Sequence, residues 1–157
     1  MNSIKEKSLS AGKYVDNKYV DTVVSHYKKE RWVQNSERIG KDDSLSAWFS
    51  VKELEEFIEK GKQHGADGIK MYFGAYAEDN TIKPALAGRQ TIVLVATKQK
   101  ETSKGVVNKN IYFAGKSAPQ ILAYDGLKIC PPYCLYGLEN QVGVTIVDRA
   151  EKGFSII

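Results

Sequence analysis

From Asp16 onward, apolar residues recur at helical spacing. Tyr19, Val20, Val23, Val24 and Tyr27 share one face, Val15 continues it backwards, and Asp21, Thr22, Ser25, Lys28 and Lys29 fill the other. This predicts an amphipathic helix. At ~100° per residue Trp32 falls off that stripe. Either the helix ends before Trp32, or Trp32 packs against a second element. The stretch from Asn35 to Ser46 is polar, contains Gly40 and the pair Asp42–Asp43, and reads as a loop. Ser50 followed three residues later by Glu53 is a capping box, with Phe49 and Leu54 placed as a hydrophobic staple. A second helix therefore starts at Val51. Leu54, Phe57, Ile58 and Gly61 share its apolar face, and a glycine there predicts close approach of a neighbouring element. Gly65 stops it after His64.

The period then changes to two. Ile69, Met71 and Phe73 alternate with Lys70, Tyr72 and Gly74, predicting a half-buried strand to about Tyr76 with the odd positions inward. Residues 90–97 contain Thr-Ile-Val-Leu-Val-Ala, a central strand by its near-continuous apolarity. Lys98 to Gly105 reads as a polar turn, and Asn110 to Ala114 as a third strand of an antiparallel meander. Ala118 to Tyr124 suits either a short strand or one helical turn. Cys130-Pro131-Pro132-Tyr133-Cys134 must be irregular, because two prolines break both ladders. Gln141 to Val147 is either a last strand or the start of a buried helix. Helices followed by strands predict an α+β fold: two N-terminal amphipathic helices packed on an antiparallel sheet of three to five strands. Residues 1–157 are expected to form a single domain, with 1–13 as a flexible lead-in.

Composition changes this picture little. The chain of 157 residues is 42% hydrophobic and 27% charged, which excludes a disordered chain, and no apolar run reaches the ~18–20 residues of a membrane span. The net charge of +4 is too small to argue for nucleic acid as a partner. Much of the excess sits in Lys98, Lys100, Lys104, Lys109 and Lys116, read as a solvated loop with its flanks, or alternatively as a patch for an anionic ligand. The N-terminus lacks the apolar stretch of a secretory signal, and two cysteines are too few for a disulfide scaffold. A cytoplasmic protein outside the membrane is expected.

Candidate chemistry is sparse. The usual hydrolase, zinc-protease and nucleotide-loop signatures are missing, and no cofactor is expected. The acids Asp42–Asp43 and Glu55–Glu56 read as loop and helix-surface residues. Cys130 and Cys134 carry three open readings: a structural pair, half of a metal site completed by His64 or His26, or a reactive thiol pair near Lys128. The structural reading with free thiols is the one expected, the chain bending at Pro132–Tyr133–Cys134 after an extended start. Tyr72 and Tyr76, with Lys70, form a sticky strand face if that face is open and core if a helix covers it. Arg31 and Trp32 have the composition of an interface anchor, although Trp32 better suits the edge of the core.

Several fragments together resemble a group of small bacterial proteins. These are Ala47-Trp48-Phe49-Ser50-Val51-Lys52-Glu53-Leu54, the strand Gly68-Ile69-Lys70-Met71-Tyr72-Phe73-Gly74, Gln90-Thr91-Ile92-Val93-Leu94-Val95, and Cys130-Pro131-Pro132-Tyr133-Cys134. The group shares a Gly-Ile-Arg-like strand and a Cys-Pro-Pro-x-Cys element; Lys70 stands where its arginine would be. The resemblance covers Trp48 to Cys134. It implies a bacterial, cytoplasmic, single-domain protein and no particular activity. The function expected is that of a non-enzymatic binding or interaction module, with a homodimer or another protein as partner. The alternative is an enzyme of unrecognised type, or a thiol- or metal-dependent protein, with a pocket between the helices and the C-terminal irregular segment near His26, His64, Tyr72 and the two thiols.

Overall fold

The computed structural model describes residues 10–134. The segment Gln141 to Val147 and most of the expected lead-in lie outside them. The protein is a mixture of helix and antiparallel sheet.

The first helix, α1 (Asn17–Tyr27), starts where Asp16 caps it by accepting a hydrogen bond from the Tyr19 N–H at 2.8 Å. It does not end at Tyr27. One π-helical turn, Lys28–Trp32, carries the chain directly into α2 (Val33–Ile39), which stops at Gly40 in the left-handed region. The polar run from Asn35 is thus partly helix, not loop. The π-turn resolves the position of Trp32. Five residues of regular α-helix would rotate it ~140° from Tyr27, whereas the wider turn brings it back toward the same side. Trp32 is only 1% exposed. The prediction that two N-terminal helices pack on the sheet is corrected here: α1 buries none of its residues, and Tyr19, Val20 and Val23 are exposed.

The second predicted helix behaves as expected. α3 (Val51–Gln63) begins with the full capping box. Its Phe57 joins Leu94, Ala96 and Leu122 in the core, with Phe49 and Leu54 packed beside them. Gly61 is where helix and sheet come closest: a Cβ there would lie 3.2 Å from the Ala66 Cβ and 3.6 Å from the Ala96 Cβ.

The main sheet runs β2 (Gly68–Ala75), β3 (Gln90–Thr102), β4 (Gly105–Asn110), with β7 (Ala123–Tyr124) also paired to β3. All these pairings are antiparallel. Two small sheets flank it: β1 (Ser46–Trp48) with β8 (Lys128–Cys130), and β5 (Tyr112–Ala114) with β6 (Pro119–Ile121). Of the segment expected as a turn from Lys98 to Gly105, only Ser103–Lys104 turn, and Lys98–Thr102 form the outer part of β3, paired with β4 as far as Thr102 opposite Gly105. That outer part projects past Gly68, where β2 stops, so both of its faces meet water. That is why it is polar throughout and shows no alternation.

Candidate functional site

Along β2 the predicted strand is present, but its faces are not as expected. Ile69 is half-buried and lines a cavity of about 310 Å³ with Phe57, Ile58, Ala66 and Ala96, between α3 and the sheet. Met71 and Phe73 continue the same face and are 53% and 80% exposed. α3 covers only one end of that face, so the odd positions are inward at Ile69 and outward in effect at Phe73. Among the described residues no strand pairs with the outer side of β2.

The ladder defines what that outer side offers. The Tyr76 N–H donates to the Arg89 carbonyl at 3.0 Å. At the other end Ala96, which faces Ile69, uses its N–H and C=O on the far side of β3, toward Leu122 and Ile111. Hydrogen-bonded pairs alternate along an antiparallel ladder. Even positions of β2 therefore bond to β3, and Ile69, Met71, Phe73 and Ala75 turn their N–H and C=O groups outward. An open eight-residue strand edge flanked by exposed apolar side chains is a template for another strand.

On the opposite face Lys70 and Tyr72 come together as the sequence suggested, and a third residue joins them. The Lys70 Nζ lies 5.8 Å from the centre of the Tyr72 ring. The Tyr72 hydroxyl and the Asn110 side chain are 3.2–3.3 Å apart, and Lys70 reaches the same amide oxygen at 3.5 Å. The Asn110 hydrogen bond, helped by the Lys70 charge, holds the Tyr72 phenol below its ordinary value. Sequence reasoning missed Asn110, because only the β3–β4 hairpin brings it beside β2.

The other candidates go elsewhere. Tyr76 is half-buried, 3.3 Å from the Thr91 hydroxyl, and burial is the main cause that raises its phenol. Arg31 is exposed on the π-turn. Trp32 is interior: its indole N–H donates to the Asp43 carbonyl at 2.8 Å. Asp42 and Asp43, expected on the surface, are both buried. The Asp43 carboxylate accepts from the N–H groups of Ser44 and Gln90, and the Asp42 carbonyl accepts from the Arg89 guanidinium. Burial lowers the Arg89 pKa, while Asp43, Asp42 and Tyr133 oppose that shift.

Cys130 and Cys134 form a disulfide, with Cα atoms 4.7 Å apart. The expectation of free thiols is therefore corrected, and with it the metal reading through Cys130, Cys134 and His64, since a disulfide has no thiolate to bind a metal. The bend also comes earlier than expected: the Tyr133 N–H donates to the Ile129 carbonyl at 2.9 Å, so the chain already turns across Cys130–Pro132. His64 closes α3, with its ring 5.7 Å from Phe113.

The fold and this edge define a mixed helix-and-sheet protein whose antiparallel main sheet leaves an eight-residue strand edge, flanked by exposed apolar side chains, open among the described residues. Compared with protein-family models, curated proteins and solved structures, the chain matches none. No helix among the described residues is long and apolar enough to cross a membrane.

Proposed function

We propose that the protein is a non-enzymatic interaction module that binds an extended segment along the outer edge of β2. One observation carries this reading: the strand's backbone groups and its Met71 and Phe73 side chains face outward together. Recognition by strand addition takes its affinity from main-chain hydrogen bonds and its selectivity from alternate side chains. On this edge the α3-side face selects for apolar residues, and the Lys70–Tyr72–Asn110 face selects for polar or aromatic ones. The enzyme reading finds less support. His26 lies on α1, His64 contacts Phe113, Tyr72 contacts Asn110, and the thiols are joined to each other.

The expected cytoplasmic location rested partly on two cysteines being too few for a disulfide scaffold. A disulfide persists in oxidising compartments and is transient in the cytoplasm of most organisms, so this support is withdrawn.

Peptide display against the immobilised protein tests the proposal. It should enrich extended sequences with apolar residues at alternate positions, and Phe73→Lys should abolish that enrichment. No enrichment, or enrichment indifferent to Phe73→Lys, overturns it.

A further inference from the structure

The β2 edge is self-complementary, and we infer that its occupant is a second copy of this chain, paired antiparallel about a two-fold axis through Tyr72. This inference rests on the reading of β2 as an interaction edge.

The outward-facing backbone groups belong to Ile69, Met71, Phe73 and Ala75. Their midpoint is Tyr72. An antiparallel pairing centred there sets Met71 opposite Phe73 of the other copy and Ile69 opposite Ala75, each pair exchanging both N–H···O bonds. It is the register that uses every outward N–H and C=O on both strands. Shifting it by one residue would set inward-turned groups against outward ones, and shifting it by two would leave end groups unpaired.

Side chains agree with this register. Directly opposed residues point to the same face. Each exposed Phe73 therefore meets an exposed Met71, and the two apolar cavities beside α3 and its symmetry mate lie on that same face. On the other face Tyr72 of each copy sits opposite its mate in a non-hydrogen-bonded pair, and because each ring leans back over β3 toward its own Asn110, the axis is left clear for the two backbones to approach. Charge fits as well. Lys70 falls opposite Gly74, so the two lysines are not opposed, and each stays over its own tyrosine ring. A closed two-fold contact also covers the β2 edges of both copies at once, which a head-to-tail contact would not do.

One strand edge is small beside the ~800 Å² per partner of a standard interface. The association is accordingly weak, and protein concentrations from about 1 µM to about 1 mM cover it.

Sedimentation of the full chain across that range should give a reversible monomer–dimer equilibrium. Phe73→Lys and Met71→Lys should each weaken it at least tenfold while circular dichroism and melting stay unchanged, because both side chains are exposed. The register is tested by cross-linking under mild oxidation. Tyr72→Cys should give a covalent dimer, whereas Lys70→Cys, displaced from its mate by four residues along the strand, should not. Three outcomes overturn the inference: a monomer at every concentration, a dimer indifferent to Phe73→Lys, or equal cross-linking from both cysteine variants. Hydrogen exchange separates this failure from failure of the module reading. A monomer with fast-exchanging amides at 69, 71, 73 and 75 that still enriches peptides loses only the dimer. A monomer with those amides protected has its edge covered within one chain, and both readings fall.

Discussion

Trp32 illustrates how much a single residue's role depends on its surroundings. Its position off the helical stripe allows a surface anchor and favours the core edge. The π-turn and the loop it meets decide for the core. Its indole satisfies the Asp43 carbonyl, the Ser36 hydroxyl accepts from the Asp43 N–H at 2.9 Å, and the Asp43 carboxylate holds the Gln90 N–H at 2.7 Å. One acidic residue thus joins α2, the following loop and β3. Trp32→Phe keeps most of the apolar volume but leaves a buried carbonyl without its donor, an expected loss of about 1–3 kcal/mol. Trp32→Ala adds a cavity and should cost about 3–5 kcal/mol. Urea unfolding measures both. Equal losses from the two variants would show that the hydrogen bond, not the volume, dominates. Nothing local marked Asp43 for burial, because its partner Gln90 lies far along the chain.

Among the elements, α3 was the most legible and makes the sharpest pH prediction. The Ser50 hydroxyl accepts from the Glu53 N–H at 3.0 Å, and the Ser50 N–H donates to Glu53 at 2.8 Å. The other Glu53 oxygen accepts from the Tyr124 hydroxyl at 2.9 Å, which ties the helix start to β7. Hydrogen bonds from the Ser50 backbone, the Tyr124 hydroxyl and the Ser50 hydroxyl, in that order, hold the Glu53 carboxyl below its ordinary value. A carboxyl depressed by folding stabilises the protein above its unfolded pKa, and this contribution is lost as pH falls through the folded value. Tyr124 is raised by the same contact, so its contribution is lost at the opposite end, as pH rises past the ordinary tyrosine range. Melting temperature against pH should therefore fall at both extremes. Glu53→Gln should flatten the acid side and Tyr124→Phe the alkaline side; unchanged profiles would detach this pair from stability. Ser50→Ala should cost about 1 kcal/mol by removing the cap. Gly61→Val, forced against Ala66 and Ala96, should cost about 1–3 kcal/mol by overpacking. The glycine on the apolar face announced that close approach from the sequence alone.

At the scale of the molecule, the Cys130–Cys134 disulfide closes a loop that the rest of the fold uses as a wall. The Leu45 N–H donates to the Cys130 carbonyl at 2.7 Å, β8 pairs with β1, and Ile129 and Pro132 are fully buried. Closing so short a loop is worth about 2 kcal/mol by the chain-entropy estimate. The doubly substituted Cys130→Ser/Cys134→Ser chain should unfold at correspondingly lower urea. Protein purified without reductant should be lighter by two hydrogens than the reduced form; a mass equal to the reduced form would restore the free-thiol expectation.

What the sequence determined by itself is what neighbouring residues settle between them. The capping box placed α3 to the residue, period-two alternation located β2, apolarity located β3, and two adjacent prolines excluded regular structure between the cysteines. Each of these signals spans fewer than about ten residues and is read by the local backbone. The tertiary structure alone decided which faces are covered. α1 and β2 also carry apolar stripes, that of α1 weaker than that of α3, yet only α3 finds the sheet beneath it. Met71 and Phe73 are exposed because α3 ends its cover near Ile69, and the lysine-rich arm is strand because β4 pairs with it beyond the end of β2. Burial is a relation between segments distant in sequence, so an amphipathic pattern states that a face wants a partner and leaves the identity of that partner to the packing of the whole chain.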